Sequence, residues 1–206
     1  MATRYSPAIV TSGLVLALDA ANPKSYSGTG TTWSDLSGNS YDFTVNASAY
    51  STSGGIPFMN FEGSYGIAKR IVGGALSDIP NYANATIVMF SSILNSTGNW
   101  RTLMRGANYD HQVIIQSGAN TLGMYDNNLS GFLTAGFDVT NISNTYTKFN
   151  FLCWRLSQSS PYYQFQYNNN ATVYSITDAN ATFNNGYACI GGYHNGTIGT
   201  GAADSS

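Results

Sequence analysis

The chain is broken into short strand-like runs, and helical periodicity is absent nearly everywhere. Thirteen such runs can be marked: Leu14–Leu18, Tyr41–Val45, Ile56–Phe61, Tyr65–Ala68, Thr86–Ile93, Arg101–Arg105, Gln112–Gln116, Thr121–Tyr125, Phe132–Phe137, Lys148–Leu156, Tyr162–Tyr167, Thr172–Ile176 and Tyr187–Ile190. Clusters of Gly, Asn, Ser and Asp separate them, and Asn185-Gly186 and Asn195-Gly196 are turn dipeptides. In Tyr162–Tyr167 the rings of Tyr163, Phe165 and Tyr167 fall on one face and Gln164 and Gln166 on the other, the pattern of a half-buried antiparallel strand. In Lys148–Leu156, Phe149, Phe151 and Cys153 share one face and Leu152, Trp154 and Leu156 the other, so cover is expected on both sides. Thr86–Ile93 is also partly apolar on both faces. So many short strands in 206 residues predict an all-β fold, a two-sheet antiparallel sandwich. No Pro-rich linker, charge block or internal repeat divides the chain. The expectation is an N-terminal arm over residues 1–12 and a single domain over 13–206.

Composition narrows the function. Only 9 % of residues are charged, with 8 basic and 10 acidic groups and a net charge of −2. Apolar residues make up 43 % and aromatics 14 %, enough for a substantial core, so disorder is not expected. A surface of Asn, Ser, Thr, Gly and Tyr offers no basic field for phosphates, which argues against nucleic acid as the partner. No apolar run approaches the roughly 18 residues of a membrane span. Pro7 and Ser12 interrupt the first apolar stretch and Asp19 ends it, so Met1–Asp19 reads as a strand and not as a signal peptide. Cys153 and Cys189 are too few for a disulfide scaffold, and their apolar neighbours suggest two buried thiols in preference to a bridge.

The most specific stretch runs from Gly13-Leu-Val-Leu-Ala-Leu-Asp-Ala-Ala-Asn-Pro-Lys-Ser-Tyr26 into Gly28-Thr-Gly-Thr-Thr-Trp-Ser-Asp-Leu-Ser-Gly-Asn39. It reads as a strand ending at Asp19, an Asn-Pro turn and a glycine-rich loop closed by Trp33. Asp35, Ser37 and Asn39 are suited to bond backbone amides in tight turns, and Trp33 to plug the end of a sandwich. Phe61-Glu-Gly-Ser-Tyr65, Ala85-Thr-Ile-Val-Met-Phe90, Phe149-Asn-Phe-Leu-Cys-Trp154 and Ile190-Gly-Gly-Tyr193 follow in order. Together these resemble concanavalin A-like lectin/glucanase domains of the laminin-G-like type, most of all those in structural proteins of tailed bacteriophages. The resemblance spans roughly Gly13 to Tyr193 and implies a concanavalin A-like jelly roll. It does not by itself imply sugar binding, because one fold hosts many roles. One departure is visible: the family's further apolar strand after the glycine pair near Ile190 is missing from Gly196–Ser206. Two expectations follow and stay open. Either Met1–Ser12 or a neighbouring subunit covers a sheet edge left unpaired, or the chain continues beyond Ser206.

Catalysis is not expected. The related glucanases carry a Glu-x-Asp-x-x-Glu strand, and Glu62 is the only glutamate here. Its place in the Phe-Glu-Gly-Ser turn suits bonding to backbone amides. No two aspartates sit at strand spacing within one run, and no Gly-x-Ser-x-Gly elbow accompanies His111 or His194. Glycan binding has candidates: Trp100 and Tyr125 to stack on sugar faces, with Tyr109, Asp110, Asp126 and Asn127 nearby in loops. The same loops are rich in Asn and Tyr throughout, which is the plainer explanation of these clusters. Asp126, Asn127 and Asn128 offer calcium one acidic ligand, so no metal and no cofactor are expected. Asn-x-Ser/Thr occurs eight times, close to what an Asn- and Ser/Thr-rich chain yields by chance, and supports no glycosylation reading. The expected role is that of a non-catalytic virion component, first a capsid decoration protein contacting other virion proteins. A tail or fibre adhesin recognising host glycans is the alternative, and a glycan hydrolase a disfavoured third.

Overall fold

Alternating burial builds the clearest part of the molecule. The structure is a computed structural model that describes residues 12–61, 68–79, 84–91, 100–106, 111–119, 121–126, 131–138, 150–157, 159–167, 172–177 and 188–191. In strand β8 (Asn84–Ser91), exposed and half-buried residues alternate along all eight positions. It pairs antiparallel with β13 (Asn150–Ser157), where Leu152, Trp154 and Leu156 are wholly buried. β14 (Tyr163–Tyr167) continues the sheet with Tyr163 and Phe165 buried and Gln164 and Gln166 half-buried on the reverse, as the alternation predicts. β15 (Tyr174–Ile176) completes it, giving the order β15-β14-β13-β8.

The larger sheet has eight strands. In spatial order they are β1 (Thr32–Trp33), β2 (Phe43–Thr44), β5 (Ala68–Lys69), β16 (Cys189–Ile190), β9 (Arg101–Arg105), β10 (His111–Ile115), β11 (Thr121–Asp126) and β12 (Gly131–Asp138). Two hairpins stand apart, β3 (Tyr50–Ser53) with β4 (Ile56–Met59) and β6 (Ile71–Val72) with β7 (Ala75–Leu76). Every pairing is antiparallel, and the only helical element among the described residues is a single 3₁₀ turn, Ala47–Ala49. Phe43, Val113, Ile115, Leu122 and Met124 of the large sheet and Leu152, Trp154, Phe165 and Ile176 of the small one lie in one apolar cluster. The molecule is therefore all-β with antiparallel sheets sharing a core, consistent with a β-sandwich. Each of these large side chains contributes about 1.5–3 kcal/mol by leaving water.

Two expectations need correction. Leu14–Leu18 is not a strand: it is half-buried and joins no ladder, because side chains of a following loop take its backbone groups. The outer face of β13 is not fully covered, since Phe151 and Cys153 are half-buried and Arg155 is exposed. In β8 the outward Val88 and Phe90 are 53 % and 72 % exposed. The sequence reading also missed β1, β3, β6 and β7, three of which are two residues long and have no readable period. Glu62, Asn185-Gly186, Asn195-Gly196 and residues 1–11 of the arm lie outside the described residues.

Candidate functional site

The opening motif folds into a self-bonded unit. Asp19 starts it: its side chain accepts from the Ala21 N–H at 2.9 Å, and its N–H donates to Ser25 Oγ at 3.1 Å. Asn22 Oδ1 accepts from Lys24, and the Asn22 carbonyl from Ser25 and Tyr26, which closes the Asn-Pro turn. Tyr26 donates its hydroxyl to the Gly30 carbonyl at 2.7 Å, and burial beside Tyr50 holds its phenol above the ordinary range. The glycine loop then delivers Trp33 into the core, 8 % exposed and 6.3 Å from the Phe61 ring.

Asp35 is the hub. Its carboxylate accepts from the N–H groups of Ala17 (2.9 Å), Ser37 (2.8 Å) and Tyr41 (3.1 Å), and from Ser37 Oγ (2.6 Å). Burial pushes the carboxyl's pKa up, but these donors outweigh it and hold the group below the ordinary carboxylate range. Ser37 Oγ and Asn39 Nδ2 reach back to the Val15 carbonyl at 2.9 and 3.0 Å. Asp35 and Ser37 accept from backbone amides as expected, whereas the Asn39 side chain donates to backbone carbonyls instead, and together they tie the Leu14–Leu18 segment to the loop behind it.

A second cluster is aromatic. Trp100 immediately precedes β9, Tyr125 lies in β11, and Phe132 stands directly across from Tyr125 on β12. The Trp100 ring meets Tyr125 edge-on at 5.5 Å and 84°, and Phe132 at 5.3 Å and 64°. All three are half-buried, so part of each ring faces solvent. Such edge-to-face pairs contribute about 0.5–1.5 kcal/mol each beyond burial. The cluster can offer aromatic and C–H surface to a ligand. Gly123 makes it possible: a Cβ there would meet the Leu133 carbonyl oxygen and stand 2.8 Å from the Phe132 ring. The structure brings the expected Trp100 and Tyr125 together. Asp126 ends β11 opposite Gly131 and is described by its backbone alone. Tyr109, Asp110 and Asn127 lie outside the described residues. Phe132 was missed, although a β11–β12 hairpin register would have placed it against Tyr125.

The cysteines are free. Cys189 is buried and its thiol is pushed up to about 12, chiefly by burial, with Arg105 and Lys69 pulling the other way. Cys153 sits on the outer face of the small sheet, across from Val88 and Gln166, and burial raises its thiol too. At pH 8 only about one Cys189 in 10⁴ is thiolate. Native protein should therefore titrate slowly at Cys153 alone with a disulfide reagent, and show the second thiol only in denaturant. Two native equivalents would contradict this. Among the described residues, no three His, Cys, Asp or Glu side chains group to hold a metal ion, and no helix is long and apolar enough to cross a membrane.

The fold and the site together describe an all-β protein of antiparallel sheets with a half-exposed aromatic cluster. No family model, curated protein or solved structure matches the chain.

Proposed function

We propose that this chain is a jelly-roll virion protein without catalytic activity, which decorates a phage capsid through contacts with neighbouring virion proteins. The observation that carries the reading is the open apolar strip on the small sheet. Val88 and Phe90 face outward on β8 beside half-buried Phe151 and Cys153 on β13, with the Phe90 and Phe151 rings 5.3 Å apart. Arg155 is the one charged side chain among the described outward residues of the sheet. Apolar contacts of this kind are little screened by salt, which suits a subunit held by many modest contacts on a lattice. The phage-like opening motif and the neutral surface support the same reading.

Purified particles should carry the protein in many copies, and raising ionic strength should release little of it. A few copies per particle would move the protein to the tail, and release at moderate salt would remove the apolar basis. Phe90→Ser should weaken attachment about tenfold or more, as truncated aromatic anchors do. At 72 % exposure the same change should cost the isolated protein less than about 1 kcal/mol.

The aromatic cluster favours a second reading, an adhesin for surface glycans. On a glycan array the soluble protein would then give hits that Trp100→Ala or Tyr125→Ala abolishes. Absence of hits leaves the decoration reading standing alone.

A further inference from the structure

A groove of about 1450 Å³ lies between β8 and the inward face of the large sheet. Its floor crosses that sheet from Trp33 on β1 to Arg101 on β9, with Ile190 on β16 between them. In the strand order β1-β2-β5-β16-β9 these ends stand four strand spacings apart, about 19 Å. Leu16 and Leu18 on one side and Ile87 and Met89 on the other are half-buried and pack against the core from its walls. Protein interiors are close-packed, with few voids larger than a water molecule. Small-molecule sites typically enclose about 300–1,000 Å³, lined by apolar side chains with a few placed polar groups. The groove has the volume and the lining of a ligand site.

Its charge narrows the ligand. Among the described residues that line it, Arg101 and Asp19 carry charge. Asp19 is exposed, and its carboxylate holds the Ala21 N–H. Arg101 is 9 % exposed. It stands opposite Ile115, a core residue, in the β9–β10 ladder, and cross-strand partners share a face, so its side chain leaves the sheet on the inward side. A guanidinium carries five N–H donors and can hold a ligand oxygen besides the interaction it makes within the chain. Shielded from water, it attracts an anion more strongly than a surface cation would.

We infer that the groove binds a free long-chain fatty acid, with its carboxylate at Arg101 and its alkyl chain running towards Trp33. An alkyl chain asks for no hydrogen bonds. An extended peptide would bring one donor and one acceptor per residue between walls of Leu, Ile and Met side chains, where each unmatched group is costly. A carboxylate takes paired, charge-assisted hydrogen bonds from an arginine, and an esterified lipid has no such group to offer. The inference does not rest on the virion reading.

Displacement of a fluorescent fatty acid from the full chain by palmitate tests it. Palmitate should compete at a single site, and each two-carbon shortening of the chain should weaken it about tenfold. Hexadecanol, the same chain without the charge, should bind at least about tenfold more weakly than palmitate. Arg101→Gln should bring palmitate down to the level of hexadecanol and leave hexadecanol unchanged. Met89→Trp, which fills the groove, should abolish binding of both. A bromine at the end of the chain should quench tryptophan emission more than one beside the carboxylate, and Trp33→Phe should remove the difference. No displacement by palmitate, or equal affinity for palmitate and hexadecanol, would overturn the inference on the unmodified protein, whether or not the Arg101 variant folds. Undiminished binding to Met89→Trp would remove the groove as the site, and stronger quenching from the carboxylate end would overturn the binding mode.

Discussion

Asp35→Ala should be among the most damaging single substitutions in the molecule. It deletes a carboxylate that accepts four hydrogen bonds and leaves the N–H groups of Ala17, Ser37 and Tyr41 without their acceptor. An unmatched buried donor costs about 1–3 kcal/mol, and the site is partly exposed, so a loss of about 3 kcal/mol is expected. For a domain of this size that lowers Tm by about 6–12 °C. Asp35→Asn should fall between, because one oxygen still serves Ala17 and Ser37 while its amide opposes the Tyr41 N–H. The pH dependence has a definite sign. The folded-state pKa lies below the unfolded one, so the stabilisation is present above the unfolded value of about 3.9 and is lost as pH falls through the folded value. Thermal melts of the wild type from pH 6 downwards should show this loss below about pH 4, and Asp35→Ala should show less of it. A variant melting within 1–2 °C of wild type would remove Asp35 as the hub.

Gly123→Ala should be nearly as costly and would also disturb the aromatic cluster. The added methyl meets a backbone oxygen, Leu133 C=O, which cannot swing away as a side chain would. Overpacking of this kind typically costs 1–3 kcal/mol, and the backbone obstacle sets the expectation at about 3 kcal/mol. The Phe132 ring must also leave its place over residue 123, and with it one of the two rings packed on Trp100. Trp33 and Trp154 are buried in the core, so a red shift in tryptophan emission on this substitution reports on Trp100. Unchanged emission together with an unchanged melt would mean that the ring does not lie over this glycine.

The two sites differ in how far they could be read from the residues. The Asp35 unit is local: its bonds span 2 to 25 positions within one motif, and Asp, Ser and Asn at those spacings announce side-chain bonding to backbone. Even so, the same bonds overturned the strand expected at Leu14–Leu18, because apolar alternation reports burial and is silent about which partner holds the backbone. The aromatic cluster is non-local. Trp100 enters β9 and Tyr125 lies in β11 of the large sheet, and only the β9-β10-β11-β12 order brings them together. Their proximity was not derivable, although both were singled out as surface aromatics. Period-two runs located β9, β10, β11, β12 and β14 to within a residue, since each buries one face or both in the core. The β3–β4 hairpin was legible and overlooked: Gly54-Gly55, at φ +57° and +80°, is a two-residue loop of the kind that favours tight hairpins.

The edge of β8 bears on how this protein survives its own synthesis. Ala85-Thr-Ile-Val-Met-Phe-Ser91 has no charge, no proline and no glycine, and it combines high strand propensity with a place at the edge of the small sheet among the described strands. Segments of that composition seed cross-β stacking when left uncovered, and no charged gatekeeper stands within four positions of either end of this one. Whatever covers that strand therefore also guards against fibril nucleation. Variants that uncover it should be lost to inclusion bodies on overexpression before any defect in folded-state stability becomes measurable.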